Sequence, residues 1–310
     1  VIERIQIVSR EQWLTLRKSD VTASAVACLF GVHPYVTPLA LFQEKNGLEL
    51  PEIDNAVLRR GRLLEGAVAV AVEEAHPEWK LTKATEYFRD PDVRVGCTPD
   101  FFVSNDPRGL GIIQAKTVAP SVFKKAWADG PPFWIALQAA TEMMLTGATW
   151  GAVAALVVDP WKMDCLIYPI PRHEGVEDRI REAVAKFWQD VEWGEEPAFD
   201  YARDGDLIAA LFPAAVPLKS VDLMGDNHLP VILAERAVAK EAIRVAQDRC
   251  IEIDNEIRAK IGDAEIATLD GYVITLKTQI RRAYEVKAST SRRLNITETR
   301  ERNDDAAGPY

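Results

Sequence analysis

The feature that most restricts the fold is a strand–turn–strand segment in the middle of the chain. Residues 93–103 and 111–118 are rich in β-branched and aromatic side chains. Between them lies Ser104-Asn105-Asp106-Pro107-Arg108-Gly109, a run dense in turn formers. The spacing predicts two adjacent strands. Period-two alternation in the second puts Gln114 and Lys116 on one face and Ile113 and Ala115 on the other. A long helical stretch, 55–75, and a strand-like run, 85–88, precede this segment. After it come an apolar helix over 133–145 closed by Gly147, strands over 151–158 and 164–170, and a charged helix over 174–193. The order helix, strands, helix, strands, helix predicts an α/β (α+β mixed) core, a central mixed sheet flanked by helices.

Shorter helices are expected over 11–17, with Ser9 as N-cap, over 22–29, and over 38–46 before Gly47. Pro213, Pro217 and Pro230 mark an aperiodic linker. Beyond it, 234–260 reads as one amphipathic helix, and a hairpin turns at Asp270-Gly271. The expected divisions are a core over 1–212, a linker over 213–229, a helix–hairpin extension over 230–296 and a polar tail over 297–310. No apolar run approaches the roughly 18 residues of a membrane span, and residues 1–10 do not read as a signal peptide. Four dispersed cysteines without CxxC spacing argue against zinc and for a reduced, cytoplasmic setting. The net charge of −10 argues against a protein that coats nucleic acid, but it leaves room for an enzyme with a local basic channel.

The chemistry centres on Asp100 and on Gln114-Ala115-Lys116 in the neighbouring strand. Together they bring an acid, an amide and an ammonium to one point. Phosphodiester hydrolysis needs such a group: hard oxygens to hold Mg²⁺ (or Mn²⁺), and a lysine beside the attacking water. Glu65 adds a carboxylate on an apolar helix stripe shared with Gly61, Val68 and Val72. It needs a partner there, a metal or Lys116. Taken singly, these residues also fit a surface ion pair and a helix-boundary glutamate.

Gly96-Cys97-Thr98-Pro99-Asp100 followed by Ile112-Ile113-Gln114-Ala115-Lys116-Thr117 resembles the core of PD-(D/E)xK nucleases. Arg60-Gly61-Arg62-Leu63-Leu64-Glu65 is similar to the glutamate helix of the YqaJ and lambda-exonuclease branch. Trp13, Arg17, Thr22-Ala23-Ser24, Gly31-Val32-His33-Pro34-Tyr35 and Thr37-Pro38 resemble that branch's N-terminal signature, and Gln138 matches its later glutamine helix. Residues 261–265, 271–277 and 289–294 are similar to the C-terminal extension of YqaJ-like phage proteins. The resemblance implies a restriction-endonuclease-like core with a C-terminal helix and hairpin. It makes Asp100 the central metal ligand, joined by Glu65, Gln114 and the Ala115 carbonyl. Lys116 positions the water, and Gln138 braces the site. Arg17 and Ser24 form a pocket for a 5′-phosphate, to which both can donate.

The same resemblance implies a metal-dependent 5′-to-3′ exonuclease. It would act on linear double-stranded DNA and leave 3′ overhangs for a single-strand annealing protein in phage-type recombination, as a homo-oligomer, a trimer, in the cytoplasm. Position 114 departs from the pattern, which asks for Glu or Asp. That keeps open a weakened or inactive nuclease-fold protein that binds DNA ends. An endonuclease on the same core is a third possibility, disfavoured by the end-phosphate pair. Finally, Lys277, Arg281, Arg282, Arg292 and Arg293 concentrate positive charge that could track phosphates or simply guard a hairpin edge.

Overall fold

The computed structural model describes residues 1–48, 56–280, 294 and 296. The chain divides into two compact units, Val1–Leu211 and Phe212–Tyr310.

The first unit opens with β1 (Glu3–Gln6), α1 (Arg10–Ser19), β2 (Val21–Thr22), α2 (Ala23–Leu29), α3 (Pro38–Lys45) and α4 (Ala56–Ala75). Ser9 caps α1 as its sequence position suggests, its hydroxyl accepting the Gln12 N–H at 3.1 Å. Five strands follow: β3 (Leu81–Lys83), β4 (Glu86–Asp90), β5 (Val95–Cys97), β6 (Phe101–Val103) and β7 (Gly111–Val118). Then come α5 (Pro120–Ala126), α6 (Phe133–Thr146), β8 (Trp150–Val158), β9 (Met163–Ile170), α7 (Glu174–Trp193) and α8 (Gly205–Leu211).

The main sheet has the order β3-β6-β7-β8-β9. Only β7 and β8 run parallel, and α6 supplies the crossover between them. β8 is buried on both faces, which explains its unbroken apolar sequence. On one face α4 packs Val68 and Val72 against Phe101, Ile113 and Ala154. On the other, α6 packs Ile135, Ala139 and Met143 against Ile112, Val153 and Ala155. This is the mixed sheet flanked by helices expected of the PD-(D/E)xK core.

The structure corrects one strand. Residues 93–103 are not continuous: β5 belongs to a second sheet, ordered β1-β4-β5-β2, and β6 to the main one. The break falls at Thr98-Pro99. Proline has no N–H for a ladder and restricts the residue before it, so the chain leaves one sheet there and enters the next. Asp100 sits at that switch, one residue ahead of β6. β1, β3, α5 and α8 were not expected from the sequence. β1 and β3 are short, charged edge strands held by distant partners, such as Glu3 opposite Arg89 and Leu81 opposite Val103, so local propensity does not signal them.

In the second unit, α9 (Leu229–Ile261) starts five residues earlier than its amphipathic pattern suggests. β10 (Ile266–Leu269) and β11 (Tyr272–Thr275) pair antiparallel across Asp270-Gly271, with Gly271 at φ +77° as this tight turn requires. Lys277 is exposed beyond the hairpin. Arg281, Arg282, Arg292 and Arg293 lie outside the described residues. Among the described residues no helix is long and apolar enough to cross a membrane.

Candidate active site

A cleft of about 500 Å³ in the first unit gathers the chemistry-bearing residues. Asp100, Gln114, Ala115, Lys116, Glu65 and Gln138 line it, together with Arg17 and Ser24. Cross-strand register explains the central group. Phe101 lies opposite Ile113 in the β6–β7 ladder, so Asp100, one residue earlier, faces Gln114. The Asp100 Oδ2 accepts the Gln114 Nε2–H at 2.6 Å and the Ala115 backbone N–H at 2.8 Å. Burial pushes the Asp100 carboxyl up to about 6; the Lys116 charge and the Ala115 N–H oppose the shift without cancelling it.

The amide at position 114 therefore has a definite consequence. A carboxylate there would face a second carboxylate, whereas the glutamine donates a hydrogen bond to it. Its Oε1 is buried and has no hydrogen-bond partner. A buried amide oxygen without a donor is costly, and it is a hard ligand of the kind magnesium accepts.

Lys116 Nζ donates to Gln138 Oε1 at 3.1 Å, and Gln138 Nε2 donates to Glu142 Oε1 at 3.0 Å. Gln138 and Glu142 are one turn apart on α6 and face the same side of the sheet as Lys116. Sequence reasoning did not single out Glu142. It is 1% exposed, and its Oε2 has no hydrogen-bond partner. Burial, then the charge of Asp100, drives its carboxyl well above the usual range. An acid buried inside an apolar helix, at i+4 from a proposed site glutamine, is the signal that could have found it.

Glu65 reaches the cleft from α4, on the opposite face of the sheet. Its expected partner was a metal or Lys116; the structure pairs it with Lys83 on β3 at 2.8 Å. Lys83 escaped notice because β3 itself did. Asp100 thus feels lysines from two strands, Lys116 and Lys83, and the opposing charge of Glu65, and it acts in turn on Glu142.

Arg17 and Ser24 line the same cleft, their side chains 3.5 Å apart. The guanidinium stacks over Trp13 at 4.5 Å, and the Trp13 indole N–H is tied to Thr98 Oγ1 at 3.2 Å, two residues from Asp100. Thr22 Oγ1 lies 3.0 Å from Ser24 Oγ. Burial lowers the Arg17 pKa, with the charge of nearby Glu44 opposing the shift, and none of the described carboxylates makes an ion pair with it. His33 is held as structure: its Nδ1 accepts the N–H groups of Tyr35 and Val36 at 3.1 and 2.9 Å, and its ring packs on Trp134 at 5.4 Å.

Among the described residues no three His, Cys, Asp or Glu side chains converge as a metal cluster. The donors here are two carboxylates, the orphaned Gln114 amide oxygen and the Ala115 carbonyl. All are hard oxygens, which fits Mg²⁺ or Mn²⁺ rather than zinc.

Residues 12–149 match the family described as the YqaJ-like viral recombinase domain. The uncharacterized protein YqaJ of Bacillus subtilis (strain 168) is 24% identical over 301 residues, covering 93% of this chain and 89% of that protein. Among solved structures, the alkaline exonuclease LHK-Exo from Laribacter hongkongensis is 21% identical with a TM-score of 0.46, over 59% of this chain and 93% of that one. A phage-related exonuclease from Haemophilus somnus 129PT is 14% identical with a TM-score of 0.42, over 57% and 96%. The chain is therefore similar to YqaJ-like viral recombinases across the segment that holds Arg17, Ser24, Glu65, Asp100, Gln114, Lys116, Gln138 and Glu142.

Proposed function

We propose that this chain is a metal-dependent exonuclease that digests linear double-stranded DNA from a 5′ end and leaves a 3′ overhang for strand annealing. The observation that carries the proposal is that Arg17, a half-buried cation that forms no ion pair with a carboxylate among the described residues, shares one cleft with Asp100 and Lys116. A guanidinium beside a hydroxyl suits a phosphate group.

In this proposal Asp100, Glu65, Gln114 Oε1 and the Ala115 carbonyl hold the cation. When bound, that ion activates water and offsets charge on the phosphate. Lys116, oriented by Gln138, holds the water and stabilises the anionic transition state. Arg17 and Ser24 grip the 5′-phosphate and fix which bond lies over Asp100. The name of the matched family fits a role in viral recombination beside an annealing protein, with the enzyme working as a homo-oligomer, a trimer, in the bacterial cytoplasm.

The rival is a protein that grips DNA ends without cutting, and one observation favours it: position 114 holds an amide that donates to Asp100 where the family pattern asks for an acid. Digestion of end-labelled linear duplex separates the two. We expect cleavage with Mg²⁺ or Mn²⁺, none with EDTA, and none from Asp100→Ala. Duplex bearing a 5′-phosphate should be cut at least several-fold faster than duplex bearing a 5′-hydroxyl, and Arg17→Ala should remove that preference. Closed circles should survive. Absence of cleavage at any metal concentration would leave the end-binding protein; nicking of circles would point to an endonuclease.

A further inference from the structure

The second unit carries a surface whose pattern specifies its partner. α9 is 33 residues long, well beyond the three or four turns of an ordinary helix. Its apolar residues follow a seven-residue repeat. Leu229, Ile243, Cys250 and Ile257 fall at the first position, a, interrupted only by Arg236. Ile232, Ala239, Ala246 and Ile253 fall at the fourth, d. A straight helix packed on a sheet would let such a stripe drift by about 20° per repeat. Holding period seven over four repeats is the pattern of helices that supercoil around one another. A second row, Val231, Val238 and Val245, stops at Glu252 and spans only half of the helix.

The seam isoleucines Ile232, Ile243, Ile253 and Ile257 are all exposed. Ile243, Ala246, Gln247 and Cys250 border a groove along the seam, the kind of hole that a facing side chain fills. Charges beside the seam identify what faces it. Of the residues that precede an a position (g), Glu235 and Arg249 are charged, as is Glu256, which pairs within the helix with Lys260; Lys240 and Asp254 are the charged residues that follow a d position (e). In a parallel, in-register pair, each g residue meets the e residue five places further along the other helix. Glu235 then meets Lys240, and Arg249 meets Asp254. Both pairs are of opposite sign, so the helix is complementary to itself. Glu235, Lys240 and Asp254 make no ion pair among the described residues; Arg249 pairs within the helix with Glu252, and Arg244 on the outer face with Glu241 and Asp248.

We infer that α9 forms a parallel, in-register coiled coil with α9 of another copy of this chain. The inference is independent of the nuclease proposal, and its test needs no activity. Register places Cys250 of one copy across the seam from Cys250 of the next, while Cys28 and Cys97 are buried in the first unit. In the full chain, diamide, which takes up two electrons and two protons from the facing thiols, should yield a disulfide-linked dimer that Cys250→Ser abolishes.

Sedimentation velocity should show an oligomer. A chain carrying Glu235→Lys with Asp254→Lys is basic at these four flanking positions, and one carrying Lys240→Glu with Arg249→Glu is acidic at all four. Each alone should dissociate by at least tenfold relative to the parent, and an equimolar mixture should re-form the complex. These substitutions are on an exposed helix surface, and circular dichroism reports that each chain stays folded. A parent chain that is monomeric at every concentration overturns the inference. So does an oligomer that neither cross-links through Cys250 nor responds to the charge changes, because another surface would then hold it.

Discussion

At the scale of single residues the site is tuned by what Gln114 does to Asp100. The amide donates to the carboxylate in place of a second, repelling acid. Gln114→Glu should reverse this. Two facing carboxylates will lower the melting temperature in EDTA, and the added charge will tighten Mn²⁺ binding several-fold by calorimetry, so metal should raise the melting temperature more than in the parent. Asp100 gives a second test. Its carboxyl titrates near 6 in the fold and near about 4 in an unfolded chain. A raised pKa means that the folded state favours the protonated form. The contribution to stability is complete below about pH 4 and is lost as pH rises through 6. Metal-free protein should therefore lose stability between about pH 4 and pH 6, and Asp100→Asn should recover on the order of 1–3 kcal/mol at pH 7. Thermal melts in EDTA across that range check both points. Glu142 behaves in the same sense. Glu142→Met removes a buried acid with an unpartnered oxygen and should raise the melting temperature. Because it also releases the Gln138 amide that faces Lys116, it should lower kcat by at least tenfold with little change in KM for DNA.

At the scale of elements, the site exists because two sheets meet at Pro99 and because β7 lies close to β8. Gly111 lies opposite Trp150, and a Cβ built on it would come within 2.3 Å of the indole ring. That ring is boxed in: its N–H donates to the Gly109 carbonyl, and Arg108 stacks over it at 3.7 Å. Gly111→Ala should cost about 1–3 kcal/mol, measured by urea denaturation, through overpacking rather than backbone strain. Strand β7 begins at Gly111, so the same change should loosen the register that aligns Asp100 with Gln114. α6 matters twice. It is the crossover that makes β7 and β8 parallel, and its inner face carries Gln138 and Glu142 to Lys116.

At the scale of the whole molecule, all the proposed hydrolytic and phosphate-binding side chains come from Val1–Leu211, which has its own sheets and three apolar clusters. A chain ending at Leu211 should melt cooperatively and keep the metal-induced rise in melting temperature. It should lose the Cys250 cross-link and any self-association that depends on α9. Calorimetric melting and sedimentation of the truncated chain test this directly.

Local pattern was enough for what depends on near neighbours in the chain. The period of β7 separated Gln114 and Lys116 from Ile113 and Ala115, and these pairs do face opposite helices. The boundaries of α4, α6 and α7 follow from apolar spacing and from stop residues such as Gly147. The ordered motifs from Trp13 to Gln138 were legible as a YqaJ-like resemblance because each is a short run of contiguous side chains. Tertiary structure decided the rest, where the deciding energy comes from residues far apart in sequence. A four-residue strand such as β1 is stable only when β4, some eighty positions away, completes its ladder. Lys83 becomes the partner of Glu65 because β3 docks on β6, and Glu142 becomes a site acid because α6 folds over β7. Spacing tells which side chains share a face; which faces meet is settled by burial of apolar surface over the whole unit, and that also sets which charges end up paired.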